Sequence, residues 1–158
     1  MRVLFLGIFL LFLGCMQEEY NIQKPFIKQK EVSVVPFVNF TQTPLAGYRV
    51  AGILEGVLRS KGYKIKNSLF SFKEDEYGIE DINKMIQKAK GDLVITGYVN
   101  EFRYKTGIDG EPAVSVTIKV FSKSLGKYVY TSSFSLVGDT YNSLGVLTQM
   151  GFNKIIEK

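Results

Sequence analysis

One stretch, residues 94–121, most constrains what this chain can fold into, because it has the pattern of two paired strands. Its first part, residues 94–105, is rich in the β-branched and aromatic residues that favour strands. Its second part alternates, with one apolar face made by Val114, Val116, Ile118 and Val120. Between the two parts, residues 106–112 contain two glycines and a proline, which are typical of a loop. The stretch therefore predicts a β-hairpin whose tip carries Asp109 and Glu111.

The remaining chain predicts helices and further strands around this hairpin. The predicted elements are a strand at 32–40, a helix ending at Gly62, a strand at 63–66, a helix at 78–90, the hairpin, a strand at 128–137 and a helix from about residue 140. The order β-α-β-α-β-β-β-α predicts an α+β, sandwich-like fold, a mixed sheet with helices packed on it. Thr43 is the predicted N-cap of the first helix. Pro36 lacks an amide donor, so the first strand is expected to lie at an edge or to bulge there.

The N-terminal residues predict export and lipid attachment. After Arg2, an apolar run of about a dozen residues has the length of a signal-peptide core and is too short for a membrane span. It ends in Leu13-Gly14-Cys15, which resembles a lipoprotein processing site. We expect residues 1–14 to be removed and Cys15 to carry fatty acids such as palmitate, a buried thiol being the alternative. Met16, rather than an aspartate, follows the cysteine, which favours the outer membrane.

Composition indicates one exported domain with a basic surface. Residues 15–30 are polar and read as a tether, and residues 31–158 are long enough for a single periplasmic domain. The chain has one cysteine, which excludes a disulfide within it. Removal of residues 1–14 leaves 19 basic and 15 acidic residues, a net charge of +4. In an exported protein this charge favours anionic lipid, lipopolysaccharide or cell-wall polymer over nucleic acid. A solvated lysine-rich surface is the alternative.

Catalytic residues are not predicted. The sequence has no histidine, which is the commonest general base and metal ligand, and no glycine-rich phosphate motif. A glycosidase that uses two of the carboxylates Glu101, Asp109 and Glu111 is the one enzymatic alternative. No sequence feature predicts the apolar pocket that would raise the pKa of one of them. We therefore expect a protein that is not an enzyme and that needs no metal or cofactor.

The hairpin also carries a resemblance to a known family. The run Glu101-Phe-Arg-Tyr-Lys-Thr-Gly-Ile-Asp-Gly-Glu-Pro-Ala-Val114 resembles the signature of the PelC family, the outer-membrane lipoproteins of the Pel exopolysaccharide export system. Phe102 stands where that family typically has tryptophan. A weaker similarity at residues 34–58 includes Pro36-Phe-Val-Asn39 and Thr43-Pro-Leu-Ala-Gly47. The resemblance implies an anticodon-binding-like fold shared with curli-secretion lipoproteins.

The resemblance further implies a function in assembly and binding. A homo-oligomeric ring of about a dozen lipidated subunits, a dodecamer, would lie under the outer membrane beside a β-barrel export protein. It would guide a cationic amino-sugar exopolysaccharide through an acidic opening. Asp109 is the expected polymer-facing acid, with Glu111 and Glu101 behind it, and a purely turn-forming Asp109 is the alternative. Tyr141 roughly matches a family tryptophan that contacts the membrane, and packing of Tyr141 on the sheet is the alternative.

A second functional class fits the same fold. It is a monomeric accessory lipoprotein that helps lipopolysaccharide assembly or activates a cell-wall synthase. The basic surface suits lipopolysaccharide, whereas the residue 101–114 signature favours the Pel-type apparatus. Oligomeric mass separates the two classes, because a monomer excludes a ring.

Overall fold

A computed structural model describes residues 17–21, 31–105 and 110–156, and the predictions for residues 1–14, Cys15 and Asp109 fall outside them. The strands are β1 (Gln17–Asn21), β2 (Val32–Val34), β3 (Val38–Asn39), β4 (Ile65–Asn67), β5 (Leu93–Tyr104), β6 (Pro112–Ser122) and β7 (Lys127–Val137). The helices are α1 (Ala46–Ser60), α2 (Ile79–Lys88) and α3 (Leu144–Ile156), with a 3-10 turn at Leu69–Ser71. The strands form one mixed sheet in the order β1-β7-β6-β5-β2-β4, and β3 also pairs with β5. The predicted α+β class is confirmed.

The predicted hairpin forms the centre of this sheet. β5 pairs with β6 antiparallel along its whole length, and β6 pairs in the same way with β7. The alternating face predicted on β6 is buried, each of its four side chains being no more than 2% exposed: Val114, Val116, Ile118 and Val120. Because strand side chains alternate between faces, Ser115, Thr117 and Lys119 lie on the opposite face.

Helices cover the two faces of the sheet unequally. α1 and α3 pack on one face, where Phe152 meets the rings of Phe37 and Phe134 edge-on, with centroids 6.4 and 5.3 Å away. Burial of each such ring contributes about 1.5–3 kcal/mol. On the other face, α2 packs through Ile82 and Ile86 on a smaller cluster near the start of β5. On that face, no helix among the described residues covers the part of β5, β6 and β7 nearest the hairpin loop.

Two details of the first strand and helix differ from the predicted pattern. The strand is interrupted at Pro36, between β2 and β3, and β2 lies inside the sheet, so the bulge alternative is the correct one. The Pro36 carbonyl accepts a hydrogen bond from the Thr96 hydroxyl at 3.0 Å. The predicted N-cap is wrong, because the Thr43 hydroxyl donates to the backbone carbonyl of Phe102 and α1 begins only after Leu45.

The polar segment predicted as a tether contributes an edge strand. β1 pairs antiparallel with β7, with Gln17 opposite Val137. Tyr20 packs against the main core, and its partial burial, followed by the nearby Glu18 carboxylate, raises the pKa of Tyr20 to about 12. A tyrosine is neutral at physiological pH even at its ordinary pKa, and the raised pKa keeps this phenol neutral into more alkaline solution. Five residues are too few for alternation to be distinguished from chance, so the sequence did not reveal this strand.

Two helical glycines should respond oppositely to alanine. A Cβ on Gly151 would lie 2.3–2.6 Å from ring atoms of Phe134, whereas a Cβ on Gly56 would meet nothing within 4 Å. We expect Gly151→Ala to lower the free energy of unfolding by about 1–3 kcal/mol through overpacking. Gly56→Ala should raise it by about 1 kcal/mol through helix propensity. Urea denaturation followed by circular dichroism measures both, and equal effects would contradict the packing of α3 on β7.

Candidate functional site

A groove with a volume of about 650 Å³ lies beside the hairpin. We call it the hairpin groove, and it is lined by residues 40–43, 100–103 and 115. Its volume falls in the range of small-ligand sites, about 300–1,000 Å³. It contains one of the predicted polymer-binding residues, Glu101, and residues that the sequence did not single out, Phe40 above all.

One wall of the groove is a loop fixed by side-chain hydrogen bonds. Asn39 Oδ1 accepts from the backbone amide of Thr41 at 2.9 Å and from its hydroxyl at 2.8 Å. Asn39 Nδ2 donates to the backbone carbonyl of Thr43 at 2.9 Å and to a carboxylate oxygen of Glu76 at 3.1 Å. The Thr43 hydroxyl in turn bonds the carbonyl of Phe102 in β5. The loop is therefore tied to the sheet before any ligand arrives.

The other wall is shaped by a β-bulge. The register of β5 against β6 shifts between Val99 and Glu101, which leaves Asn100 as the extra residue. Bulges turn side chains to new directions and are frequent beside functional sites. Here Asn100 Nδ2 donates to the Thr117 hydroxyl at 3.2 Å, and Glu101 stands opposite Ser115. The bulge was not predicted. A regular strand would place Glu101 and Arg103 on the same face as Val99, whereas the bulge turns Phe102 into the core.

Hydroxyl groups continue from the groove across the open face of the sheet. The Ser115 and Ser135 hydroxyls are hydrogen-bonded at 2.9 Å. Ser135 stands opposite Glu19 of β1, so one row crosses four strands from Glu101 to Glu19. This polar row begins at the groove and lies on the face opposite the main core.

The two described acids of the hairpin each have a cationic neighbour. An oxygen of Glu101 lies 2.8 Å from the Arg103 guanidinium, and an oxygen of Glu111 lies 3.6 Å from Lys105 Nζ. The structure thus places both predicted acids on the hairpin, as expected, but pairs each with a cation. Exposed pairs of this kind contribute about 0–1 kcal/mol. The charges of Glu101 and Glu111 are therefore locally offset.

Aromatic side chains flank the groove on the open face. Phe40 is 59% exposed, and its ring centroid lies 5.5 Å from that of Tyr98. Lys119 Nζ lies 5.2 Å from the Tyr98 ring and 4.5 Å from the Tyr128 ring, within cation–π range. Phe40 was not predicted to line a site, because it is the last residue of the strand predicted at 32–40. The dense turn formers Thr41 to Pro44 that follow it were the available signal.

Tyr141 lies in a fixed turn that precedes α3. Asp139 Oδ1 accepts from the backbone amide of Tyr141 at 3.0 Å and from Asn142 Nδ2 at 2.6 Å. The Tyr141 side chain is 96% exposed. The alternative in which Tyr141 packs on the sheet is therefore wrong, and the residue is displayed to solvent.

The strand register places several of these features at one end of the sheet. Gln17, Val137, Ala113 and Arg103 form one row across β1, β7, β6 and β5. The hairpin tip follows directly after this row, and Tyr141 is four residues beyond Val137. Gln17, the ends of β5 and β6 that flank the hairpin loop, and the turn that carries Tyr141 thus lie at one end of the sheet, which we call the hairpin end.

Lysines concentrate at the opposite end of the sheet. Leu93, Ser122 and Lys127 form a row there. Exposed lysines surround this row in the adjoining loops and helix end: Lys64, Lys88, Lys90, Lys123 and Lys127. With strands of eleven or twelve residues, they lie about 35 Å from the hairpin end. These lysines are therefore remote from the groove.

The described residues contain neither a candidate metal site nor a helix that could span a membrane. Across residues 17–21, 31–105 and 110–156, no group of three or more His, Cys, Asp or Glu side chains could hold a metal ion. None of the helices in these ranges is long and apolar enough to cross a membrane.

The fold is similar to the solved structures of a PelC and of a neisserial lipoprotein. The chain is similar to a PelC dodecamer from Paraburkholderia phytofirmans, with 26% identity, a TM-score of 0.68, and coverage of 90% of this chain and 96% of that one. A variant of that PelC in another crystal form, also a dodecamer, gives 24% identity and a TM-score of 0.67, with 90% and 95% covered. A lipoprotein from Neisseria meningitidis, GNA1162, gives 21% identity and a TM-score of 0.59, with 81% and 99% covered.

Protein-family profiles gave no match to the chain, and neither did curated protein sequences. The resemblance to PelC that was predicted from residues 101–114 is nevertheless confirmed, because the similarity of fold extends over nine-tenths of the chain.

The fixed loop of the groove makes a direct prediction. Asn39→Ala removes the acceptor for the Thr41 amide and the donor to the Thr43 carbonyl. We expect unfolding free energy to fall by about 1–3 kcal/mol and the Thr41 amide to exchange its hydrogen faster. Gln42→Ala, an exposed change in the same loop, is the control and should alter neither. Unchanged exchange at Thr41 in Asn39→Ala would show that the loop is not held by this side chain.

Proposed function

We propose that this chain is a lipid-anchored subunit of a Pel-type exopolysaccharide export apparatus, on the periplasmic side of the outer membrane. In this proposal it is not an enzyme. It assembles with copies of itself into a ring, lies next to a β-barrel export protein and guides a cationic amino-sugar polymer towards it. The observation that carries the proposal is the similarity of almost the whole chain to a PelC that forms a dodecamer.

A ring is a physically reasonable assembly for such a subunit. A head-to-tail contact joins two different patches, and it closes into a ring when the rotation between neighbours permits. A closed ring leaves no unpaired patch and encloses an opening. Repetition of the subunit also repeats each charge around that opening, so a single carboxylate per chain is multiplied by the number of subunits.

The position of β1 supports the proposed anchoring. Lipid on Cys15 would hold the hairpin end at the membrane, since Gln17 is fixed beside Val137 by β7. The exposed Tyr141 ring lies at the same end, where an aromatic ring with a polar tip suits the headgroup region. The 46% exposed Val146, in the first turn of α3, adds apolar surface nearby. We therefore assign membrane contact to Tyr141.

The distribution of charge supports the proposed direction of transport. The lysines lie about 35 Å from the hairpin end. At physiological ionic strength the screening length is about 8 Å, so they hardly affect the potential at the hairpin. The proposal assigns attraction of a cationic polymer to Asp109, although the chain as a whole is basic.

The oligomeric state tests the proposal most directly. We expect the lipidated protein, purified in detergent, to have a mass near twelve subunits by light scattering and native mass spectrometry. Dilution should not dissociate it gradually, because loss of one subunit from a ring breaks two contacts. A monomer at all concentrations would overturn the ring. It would favour the accessory lipoprotein of lipopolysaccharide assembly or cell-wall synthesis, which the lysine-rich end also suits.

Anchoring is tested by two variants with different expected severity. Cys15→Ser should release the protein from outer-membrane fractions, because it removes all acyl chains. In the lipidated protein, Tyr141→Ala should leave lipidation intact. In the unlipidated Cys15→Ser protein, the same change should weaken binding to liposomes by a few fold. Tyr128→Ala, an exposed tyrosine towards the opposite end of the sheet, is the control for loss of an aromatic ring. Metabolic lipid label still incorporated by Cys15→Ser would rule out the anchor site.

The variant Asp109→Asn tests whether Asp109 acts through its charge or through its ability to form a turn. Asn keeps the acceptor oxygen that turns use, and it removes the charge. We expect Asp109→Asn to leave fold and oligomer intact, to reduce polymer export, and to be less severe than Asp109→Lys. Binding of cationic polymer should also weaken as salt is raised. Full export by Asp109→Asn, with salt-insensitive binding, would leave only the structural role.

A further inference from the structure

We propose that the hairpin groove binds one uncharged, N-acetylated hexosamine unit of a polysaccharide. The inference rests on the proposed function for the class of ligand. It adds a second, charge-independent contact to the attraction assigned to Asp109. Three features of the groove support this contact: an exposed aromatic ring, paired polar groups and a rigid loop.

Phe40 provides a flat apolar surface at the rim of the groove. Its ring is 59% exposed and is supported from one side by Tyr98 at 5.5 Å. Pyranose rings have apolar C–H faces that pack well on aromatic rings, and the edges of the same sugar carry its polar groups. An exposed aromatic ring on a fixed loop, next to polar side chains, is what such a ligand requires.

The polar groups of the groove suit neutral hydrogen-bonding partners. Arg103 and Glu101 form an ion pair at 2.8 Å, so together they present donors and acceptors without net charge. A guanidinium has five N–H donors and a carboxylate about four acceptor positions, so a single contact leaves capacity on both. Asn100 adds an amide at the bulge. This set can bond hydroxyls and an acetamido group, which itself has one donor and one acceptor.

The neighbouring charge disfavours a cationic sugar at this position. Lys119 Nζ lies over the Tyr98 ring, which is in contact with Phe40. A protonated amino sugar stacked on Phe40 would find Glu101 already paired with Arg103, and it would have the like charge of Lys119 beyond Tyr98. An acetylated unit carries no charge and has no such penalty. Within a partly acetylated polymer, the groove and Asp109 would therefore take different units.

The groove is also rigid before binding, which lowers the entropic cost of association. Asn39 and Thr43 fix the loop that carries Phe40, and the bulge at Asn100 is fixed through Thr117. The hydroxyls of Ser115 and Ser135 extend from the groove across the open face and can bond an adjoining unit. A track for an extended polymer would begin in this way.

The test uses four monosaccharide probes with the lipidated protein in detergent. These are N-acetylglucosamine, N-acetylgalactosamine and their deacetylated forms, glucosamine and galactosamine. Saturation-transfer difference NMR reports binding to a large assembly. We expect at least one acetylated sugar to bind, with an affinity at 0.5 M salt within twofold of that at 0.15 M. Its deacetylated form should bind at least fivefold more weakly.

Two matched variants locate the site. Phe40→Ala should weaken binding of the acetylated sugar about 3- to 10-fold, a stacking contribution converted to affinity. Phe70→Ala removes a still more exposed ring, 84% exposed, that does not line the groove, and should have no effect. Phe40→Trp should retain binding. Since the chain has no tryptophan, its fluorescence should shift on addition of the sugar, while that of Phe70→Trp should not.

The outcomes separate this inference from the proposed function. If no acetylated sugar binds, or if folded Phe40→Ala binds as well as the unaltered protein, the groove is not a sugar site. The ring and Asp109 would be unaffected by that result. Preference for the deacetylated sugar, with strong salt dependence, would also overturn it. A monomeric protein that binds the acetylated sugar through Phe40 would support the groove and contradict the ring.

Discussion

The backbone pairing of β5 is the interaction on which the rest of the structure depends. β5 bonds β6 on one side and both β2 and β3 on the other, so it joins the antiparallel meander to the parallel part of the sheet. Its side chains also reach both cores. Ile95 and Val99 lie under α1 and α3, and Val94 lies under α2. A single long strand thus orders every layer, and its far end carries the candidate site.

The unequal covering of the sheet explains why a site can exist there. α2 protects the face near the start of β5, where apolar side chains need burial. Towards the other end the same face carries Asn100, Ser115 and Thr117, which water can solvate and which need no cover. The bulge at Asn100 marks this change of character. The groove, the hydroxyl row and Lys119 all belong to the uncovered part.

Charge is arranged along the same axis as the strands. α1 and α2 both end near the start of β5, with Arg59 and Lys88 in their last turns, where cations offset the negative end of the helix dipole. Glu80 and Asp81 lie in the first turn of α2, at its positive end. The directions of the helices therefore explain part of the separation between the lysine-rich end and the hairpin end. The hairpin end is therefore separated from the lysines of the opposite end by the length of the strands.

The sequence by itself determined the hairpin, the α+β class, the order of the main elements and the resemblance to PelC. Alternation on β6 and the turn residues at 106–112 are local signals, and local signals survive without knowledge of packing. Only the tertiary structure decided that residues 17–21 form an edge strand, that Thr43 bonds β5 instead of capping α1, and that Glu101 and Glu111 have cationic neighbours. It also decided that Phe40 stands exposed over a groove and that Tyr141 is displayed to solvent. These features depend on which residues meet across strands far apart in the chain, and register between strands is set by the packing of the whole sheet.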